Sequence, residues 1–161
     1  MIGRNVQNLQ KLKGVLLEMA PHQSILASND IKEADRADII VMATSAHNAI
    51  LDIEGLKKGV LIYDITQPKN TPENIKEMRP DVKIFDGGLI KLPSTIKINF
   101  NFGLPENVVF SCLAETIILT AIEYQGNFCT NGVDYKKIEL IADLAKKHGF
   151  VSYLQSVNFC V

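Results

Sequence analysis

Tryptophan is absent from these 161 residues, and cysteine occurs only at 112, 129 and 160, with no CxxC spacing. So odd and scattered a set supports neither a disulfide framework nor a thiolate zinc site, and a reducing, cytoplasmic location is the expectation. An excess of either charge is lacking too, since 17 Lys+Arg stand against 18 Asp+Glu for a formal net charge of -1. A chain so close to neutral offers no electrostatic reason to bind nucleic acid or an anionic membrane surface. Apolar runs such as Ile117-Ile118-Leu119 fall far short of the roughly 20 residues of a membrane span. The opening Met1-Ile2-Gly3-Arg4-Asn5 has neither the apolar stretch nor the cleavage site of a secretory signal. Ten glycines are present, at 3, 14, 55, 59, 87, 88, 103, 126, 132 and 149, yet no GxGxxG or P-loop spacing runs through them. The glycine-rich turn that meets a nucleotide diphosphate is therefore not encoded in these residues.

What is present has the composition of a globular domain, 47% hydrophobic and 22% charged, with a length that suits one domain. Val6, Leu9, Leu12, Leu16 and Met19 recur at helical spacing, so residues 6–19 are predicted to form an amphipathic helix. A short strand is expected at Gln23–Ala27, and Asn29-Asp30 offers a cap to the charged stretch that follows. Three β-branched runs come next, Ala37–Thr44, Val60–Thr66 and Val82–Asp86. Continuous apolar runs of this kind are strands buried on both faces, and helical connections between them imply a parallel sheet. Lys57-Lys58-Gly59 turns the chain, Pro68 and Pro72 break it, Thr71 is placed to cap a short helix starting at Pro72, and Asp86-Gly87-Gly88 ends the third run.

Beyond Gly88 the alternation stops. Ile96–Phe100 alternates as a half-exposed strand. Pro105-Glu106 suits the first turn of a helix reaching about Tyr124, apolar nearly all round and so expected to be deeply buried. A last helix is predicted over Asp134–His148, ended by Gly149. The change of pattern divides the chain into a partial dinucleotide-binding segment, 1–104, and a helical segment packed on it, 105–161. The fold class is α/β, a three-layer parallel sheet.

In open α/β sheets ligands lie beyond the C-terminal ends of the strands. Thr44, Ser45 and His47 follow the first β-branched run, Asp64 closes the second, and Gly87 and Gly88 the third. Thr44 and Ser45 are candidate donors to a ribose. His47, with an unperturbed pKa near neutrality, is a candidate proton donor or an exposed loop histidine. Arg4 and Asn5 precede the first helix as the residues beside an adenosine ribose do, and an Arg there pairs with a 2′-phosphate; a frayed terminal arginine reads equally well from position alone.

From Arg4 to about Phe150 the chain resembles the C-terminal part of the long-chain acyl-[acyl-carrier-protein] reductases. The matching pieces are Gly3-Arg4-Asn5 with the Leu9…Leu12 helix, Ala37–Val41, Pro68-Lys69-Asn70, Asp86-Gly87-Gly88, Phe110–Glu115, Asn127-Phe128 and Lys147-His148-Gly149-Phe150, in family order. More distantly it is similar to shikimate and amino acid dehydrogenases. The resemblance implies a Rossmann-like fold whose first strand and glycine-rich turn are absent here, NADPH as cofactor, and an acyl carrier protein or CoA thioester as substrate. It assigns Cys112 as the nucleophile that takes the acyl group before hydride transfer yields an aldehyde. Glu115, at i+3, shares the face of Cys112 and is a candidate to orient or protonate. The residues themselves place Cys112 about two turns into the predicted helix, where an apolar packing role competes with catalysis.

Two other functions remain open: a dehydrogenase acting on a small polar oxo acid, for which no catalytic Lys/Asp pair is evident, and a non-catalytic module. A missing first strand leaves sheet edges that invite pairing, so the module reading predicts a homodimer. Lys136, Lys137, Lys146, Lys147 and His148 suit an acidic carrier, although Glu139 and Asp143 between them also fit a solvated mixed-charge face.

Overall fold

A computed structural model describes residues 1–44, 51–72, 74–94, 103–130, 132 and 134–156. The chain forms two compact units, one comprising Met1–Phe85 with the chain end from Ser156, the other Asp86–Gln155.

The first unit is α/β. Helix α1 spans Val6–Met19, as its apolar spacing predicts, and Asn5 caps it by accepting from the Asn8 N–H at 2.9 Å. None of its residues is buried. Asp30 likewise caps a 3-10 helix, Ile31–Arg36, through the Lys32 N–H. Strands β1 (Ile39–Met42), β2 (Leu61–Asp64) and β3 (Lys83–Asp86) follow, ordered β1-β2-β3 in a parallel sheet, with Ile39 opposite Leu61 and Met42 opposite Asp64. All three lie within the β-branched runs. The short β7 (Gln155–Ser156) adds beyond β3. The short strand expected at Gln23–Ala27 reduces to one parallel bridge between Ile2 and Ser28.

The core of this unit gathers Met42, Ile53, Leu56, Val60, Ile62, Ile75, Val82 and Ile84. Full burial of each such aliphatic side chain contributes about 1.5–3 kcal/mol. Arg79 stitches the loop before β2 to the end of helix α2 (Ile75–Met78), donating to the Ile53 and Leu56 carbonyls at 2.7 and 3.1 Å and pairing with Asp81. The Arg79 guanidinium, helped by the Gly59 N–H, holds the Asp81 carboxyl far below the usual carboxylate range. The helix expected to start at Pro72 begins later, because the Thr71 hydroxyl donates to Asp64 instead of capping a helix.

The second unit was not foreseen as a sheet. Strand β4 (Leu89–Lys91) pairs antiparallel with β5 (Val108–Phe110) on one side and β6 (Val151–Ser152) on the other. Residues on either side of position 104 thus join one sheet. The helix predicted from Pro105 starts only at Ser111: α3 is Ser111–Ala121. Val108 and Val109, counted as helical from their hydrophobicity, are β-branched strand residues and almost fully buried. Helix α4, Tyr135–Lys147, is capped by Asp134 and ended near Gly149 at φ +77°, as predicted. Leu92, Val109 and Ala114 form the core here, flanked by Ile90, Leu113, Ile117 and Phe150. The strand expected at Ile96–Phe100 lies outside the described residues. Among those described, no helix is long and apolar enough to cross a membrane.

Candidate functional site

In the first unit a cleft of about 530 Å³ opens where the Met1–Gly3 segment and β1 end. Its lining includes Gly3, Arg4, Asn29, Ile40, Met42 and Thr44. Two residues singled out from sequence, Arg4 and Thr44, therefore meet, although 40 positions separate them in the chain. The bridge between Ile2 and Ser28 does this, because it lays the N-terminal segment parallel to the chain that leads into β1 and turns Arg4 toward the same end. Asn29, at the end of that bridged segment, joins the cleft unforeseen; its only mark in the sequence is the polar pair it makes with Asp30. Asn5 does not line the cleft: its side chain is the α1 cap. Ser45 and His47 lie outside the described residues.

Asp64 is in neither position expected of a cofactor ligand: it is fully buried and absent from the cleft lining. Its carboxylate organises the loop after β2, accepting from the Thr66 N–H at 2.9 Å, the Thr66 hydroxyl at 2.5 Å, the Asn70 N–H at 3.2 Å and the Thr71 hydroxyl at 3.2 Å. Lys69 Nζ reaches back to the Asp64 carbonyl at 3.1 Å. Four donors fill the lone-pair sites of an ionised carboxylate and leave none for a ligand. The loop includes a cis Gln67–Pro68 peptide bond. The Asn70 side chain, 2% exposed, has no hydrogen-bond partner for its Oδ1 or Nδ2, an unusual cost for a native loop.

The second unit carries the other candidates. Gly88 turns the chain from β3 into β4 at φ +72°, a left-handed conformation that glycine adopts without a Cβ penalty. Its carbonyl accepts from the Ser111 N–H at 2.7 Å, which ties the turn to the start of α3. Gly87 is buried beside it. Because α3 begins at Ser111, Cys112 sits in the first turn and not two turns in, and it is exposed. Phe110 occupies the cap position and makes no side-chain cap bond. The Ser111 N–H is taken by Gly88, and no side chain caps the N–H groups that follow it, so the first turn presents the positive end of the peptide dipoles beside the thiol. Glu115, half-buried one turn further on, lines an apolar cleft of about 660 Å³ with Ser111, Ile118, Ile141 and Phe150. Cys112 lies outside that lining.

The first unit therefore unites Arg4 with Thr44, and the second unites Gly88, Ser111 and Cys112 around one turn. No protein-family profile matches the chain.

Proposed function

We propose that this chain is the cofactor- and nucleophile-bearing part of an NADPH-dependent reductase that converts an acyl thioester to an aldehyde, on an incomplete Rossmann-like sheet. The observation that carries the reading is the shared cleft of Arg4 and Thr44 at the C-terminal end of parallel strands, the end at which open α/β sheets bind ligands. A guanidinium there suits a ribose 2′-phosphate, which it engages with paired N–H donors. Asn29 and Thr44 add hydrogen-bonding groups for the ribose. The fit covers the adenosine half of the cofactor. No glycine-rich turn exists among these residues to receive the diphosphate, and in this reading that cradle comes from outside them.

Cys112 is the nucleophile. Its sulfur adds to the thioester carbonyl, the new C–S bond forms as the old one breaks, and the departing thiolate of the carrier or CoA takes up a proton. In this reading the first-turn N–H groups of α3 beyond Ser111, which no side chain caps, stabilise the oxyanion that develops at the thioester carbonyl. Glu115, on the same helical face, holds or protonates the leaving group, and His47 is assigned the proton donor to the substrate oxygen. NADPH, held by Arg4 and Thr44, would supply hydride chemistry, and Cys112 is the residue from which the aldehyde would be released.

Acyl transfer to the protein needs no cofactor, so it tests the chemistry in this chain directly. Incubation with a long-chain acyl-CoA followed by peptide mass spectrometry should place a thioester on Cys112 and leave Cys129, which is exposed too, unmodified. Cys112→Ala should abolish the adduct. Equal labelling of the two cysteines, or none at Cys112, refutes the mechanism. For the cofactor half, Arg4→Glu should weaken NADPH binding and leave NADH binding unchanged; equal affinity of both forms for NADPH refutes it.

A further inference from the structure

The cleft of about 660 Å³ in the second unit falls within the roughly 300–1,000 Å³ of small-ligand sites. Helices α3 and α4 both line it, and they run antiparallel. Tyr124, just beyond α3, and Lys137, in the first turn of α4, both meet the Phe128 ring, at 5.3 and 5.4 Å. The start of α3 therefore lies beside the end of α4. This sets Ser111 and Glu115 near Lys146 at one end of the cleft, and Ile118 near Ile141 at the other. One end is charged and the other apolar. Glu115 is half-buried and Lys146 exposed, and neither makes an ion pair or hydrogen bond among the described residues. A carboxylate left without a partner beside apolar walls is costly.

The sheet adds a backbone donor and acceptor. Ser152 of β6 lies opposite Ile90, and the Tyr153 N–H donates to the Leu89 carbonyl at 2.9 Å. A bond so placed flanks a non-hydrogen-bonded pair of an antiparallel ladder, whose two residues turn their own N–H and C=O away from each other. Ile90 directs its groups to Val109 of β5. β6 is the edge of its sheet, in the order β5-β4-β6, so the Ser152 N–H and C=O have no partner among the described residues. Side chains of directly opposed residues share a face, and Ile90 and Ser152 both line the cleft. A free donor and a free acceptor thus stand at its rim.

From this arrangement we infer that the cleft binds a free tripeptide with a large apolar central residue. That residue pairs with Ser152, donating its N–H to the Ser152 carbonyl and accepting from the Ser152 N–H, as in strand addition to a sheet edge. Its side chain then shares the face of the Ser152 side chain and enters the cleft toward Ile118 and Ile141. The peptide ammonium meets Glu115, and the peptide carboxylate meets Lys146. Two unpaired charges of opposite sign in one cleft select a zwitterion over a simple cation or anion. A free ammonium and a free carboxylate occur together in an amino acid or in a short peptide with both ends free. The Ser152 backbone favours the peptide, because a lone amino acid has no amide N–H or amide carbonyl to offer it. The inference stands on the second unit alone and draws nothing from the thioester chemistry.

The test is a titration of the full chain, labelled with nitrogen-15, with the peptide Ala-Phe-Ala, followed amide by amide in heteronuclear NMR. The Glu115, Lys146 and Ser152 amides should shift to saturation with a dissociation constant below about 1 mM. The amide of Ile62, in the core of the first unit, should not move. The N-acetylated peptide and the C-terminal carboxamide each lose one charge and should bind about tenfold more weakly or worse. Ala-Ala-Ala, which lacks the large side chain, should also bind about tenfold more weakly or worse. Lys146 is exposed, so Lys146→Met leaves the core intact. That variant should bring Ala-Phe-Ala down to the affinity of its carboxamide and leave the carboxamide's own affinity unchanged. Absence of shifts at Glu115 and Ser152 overturns the proposal, as does equal affinity for the acetylated or the amidated peptide. Phenylalanine binding as tightly as the tripeptide also overturns it, and assigns the cleft to an amino acid.

Discussion

Removing the Asp64 carboxylate separates a loop-building role from a ligand-binding one. Asp64→Ala strands four donors: the Thr66 and Asn70 N–H groups and the Thr66 and Thr71 hydroxyls. The hydroxyls can turn to other acceptors, and the Asn70 N–H keeps the Thr66 Oγ1 at 3.1 Å. The Thr66 N–H has no substitute and lies in a residue only 4% exposed. Each orphaned buried donor costs about 1–3 kcal/mol. With the hole left by the carboxylate added, Asp64→Ala should lose about 3–5 kcal/mol. Asp64→Asn retains the shape, but its amide nitrogen must face either the Thr66 or the Asn70 N–H, so a loss of about 1–3 kcal/mol is expected. Urea titration followed by far-ultraviolet circular dichroism reads both as a lower midpoint at constant slope. The reasoning is refuted if Asp64→Ala shifts the midpoint by less than the equivalent of about 0.5 kcal/mol, the size of an ordinary surface change.

Two further outcomes follow from the first unit. Asn5→Ala removes the α1 cap and should cost about 0.5–2 kcal/mol, while Asn5→Gly should cost only a few tenths, both by the same urea titration; equal losses would mean the side chain does something other than cap. Asp81 has a folded pKa depressed below its ordinary 3.8 by the Arg79 hydrogen bonds first and the Gly59 N–H second. Its stabilising effect is therefore complete above about pH 4–5 and is lost as acid takes the pH down through the folded value. Asp81→Asn should lower the thermal midpoint at pH 7 and flatten its fall below about pH 4; an unchanged acid limb would contradict the pairing.

Regular segments were legible in the sequence because one local signal decided each. β1, β2 and β3 lie within runs of β-branched residues, and α1 and α4 have helical spacing with Asn5 and Asp134 as caps. The antiparallel sheet was not legible, because its strands are two or three residues long and pair across gaps in sequence. Val108 and Val109 met a hydrophobic helix without a break, so periodicity merged strand and helix. That error also moved Cys112 into the middle of a helix. Arg4, picked for its place before the first helix, and Thr44, picked by the rule for strand ends, line one cleft. Asp64 obeyed the same rule in position but not in direction, since alternation along β2 buries it with Ile62 on the covered face.

The direct passage from β5 into α3, with Phe110 ending one and Ser111 starting the other, couples the thiol to the strand register. Successive helical residues are set about 100° apart around the axis. Deleting or inserting a single residue within 108–110 would swing the Cys112 sulfur through roughly that angle while every side chain of α3 kept its identity. The bearing of the sulfur is thus adjustable by slippage in a strand as well as by substitution at the cysteine, and a bulge at Val108 or Val109 would redirect it without touching the helix.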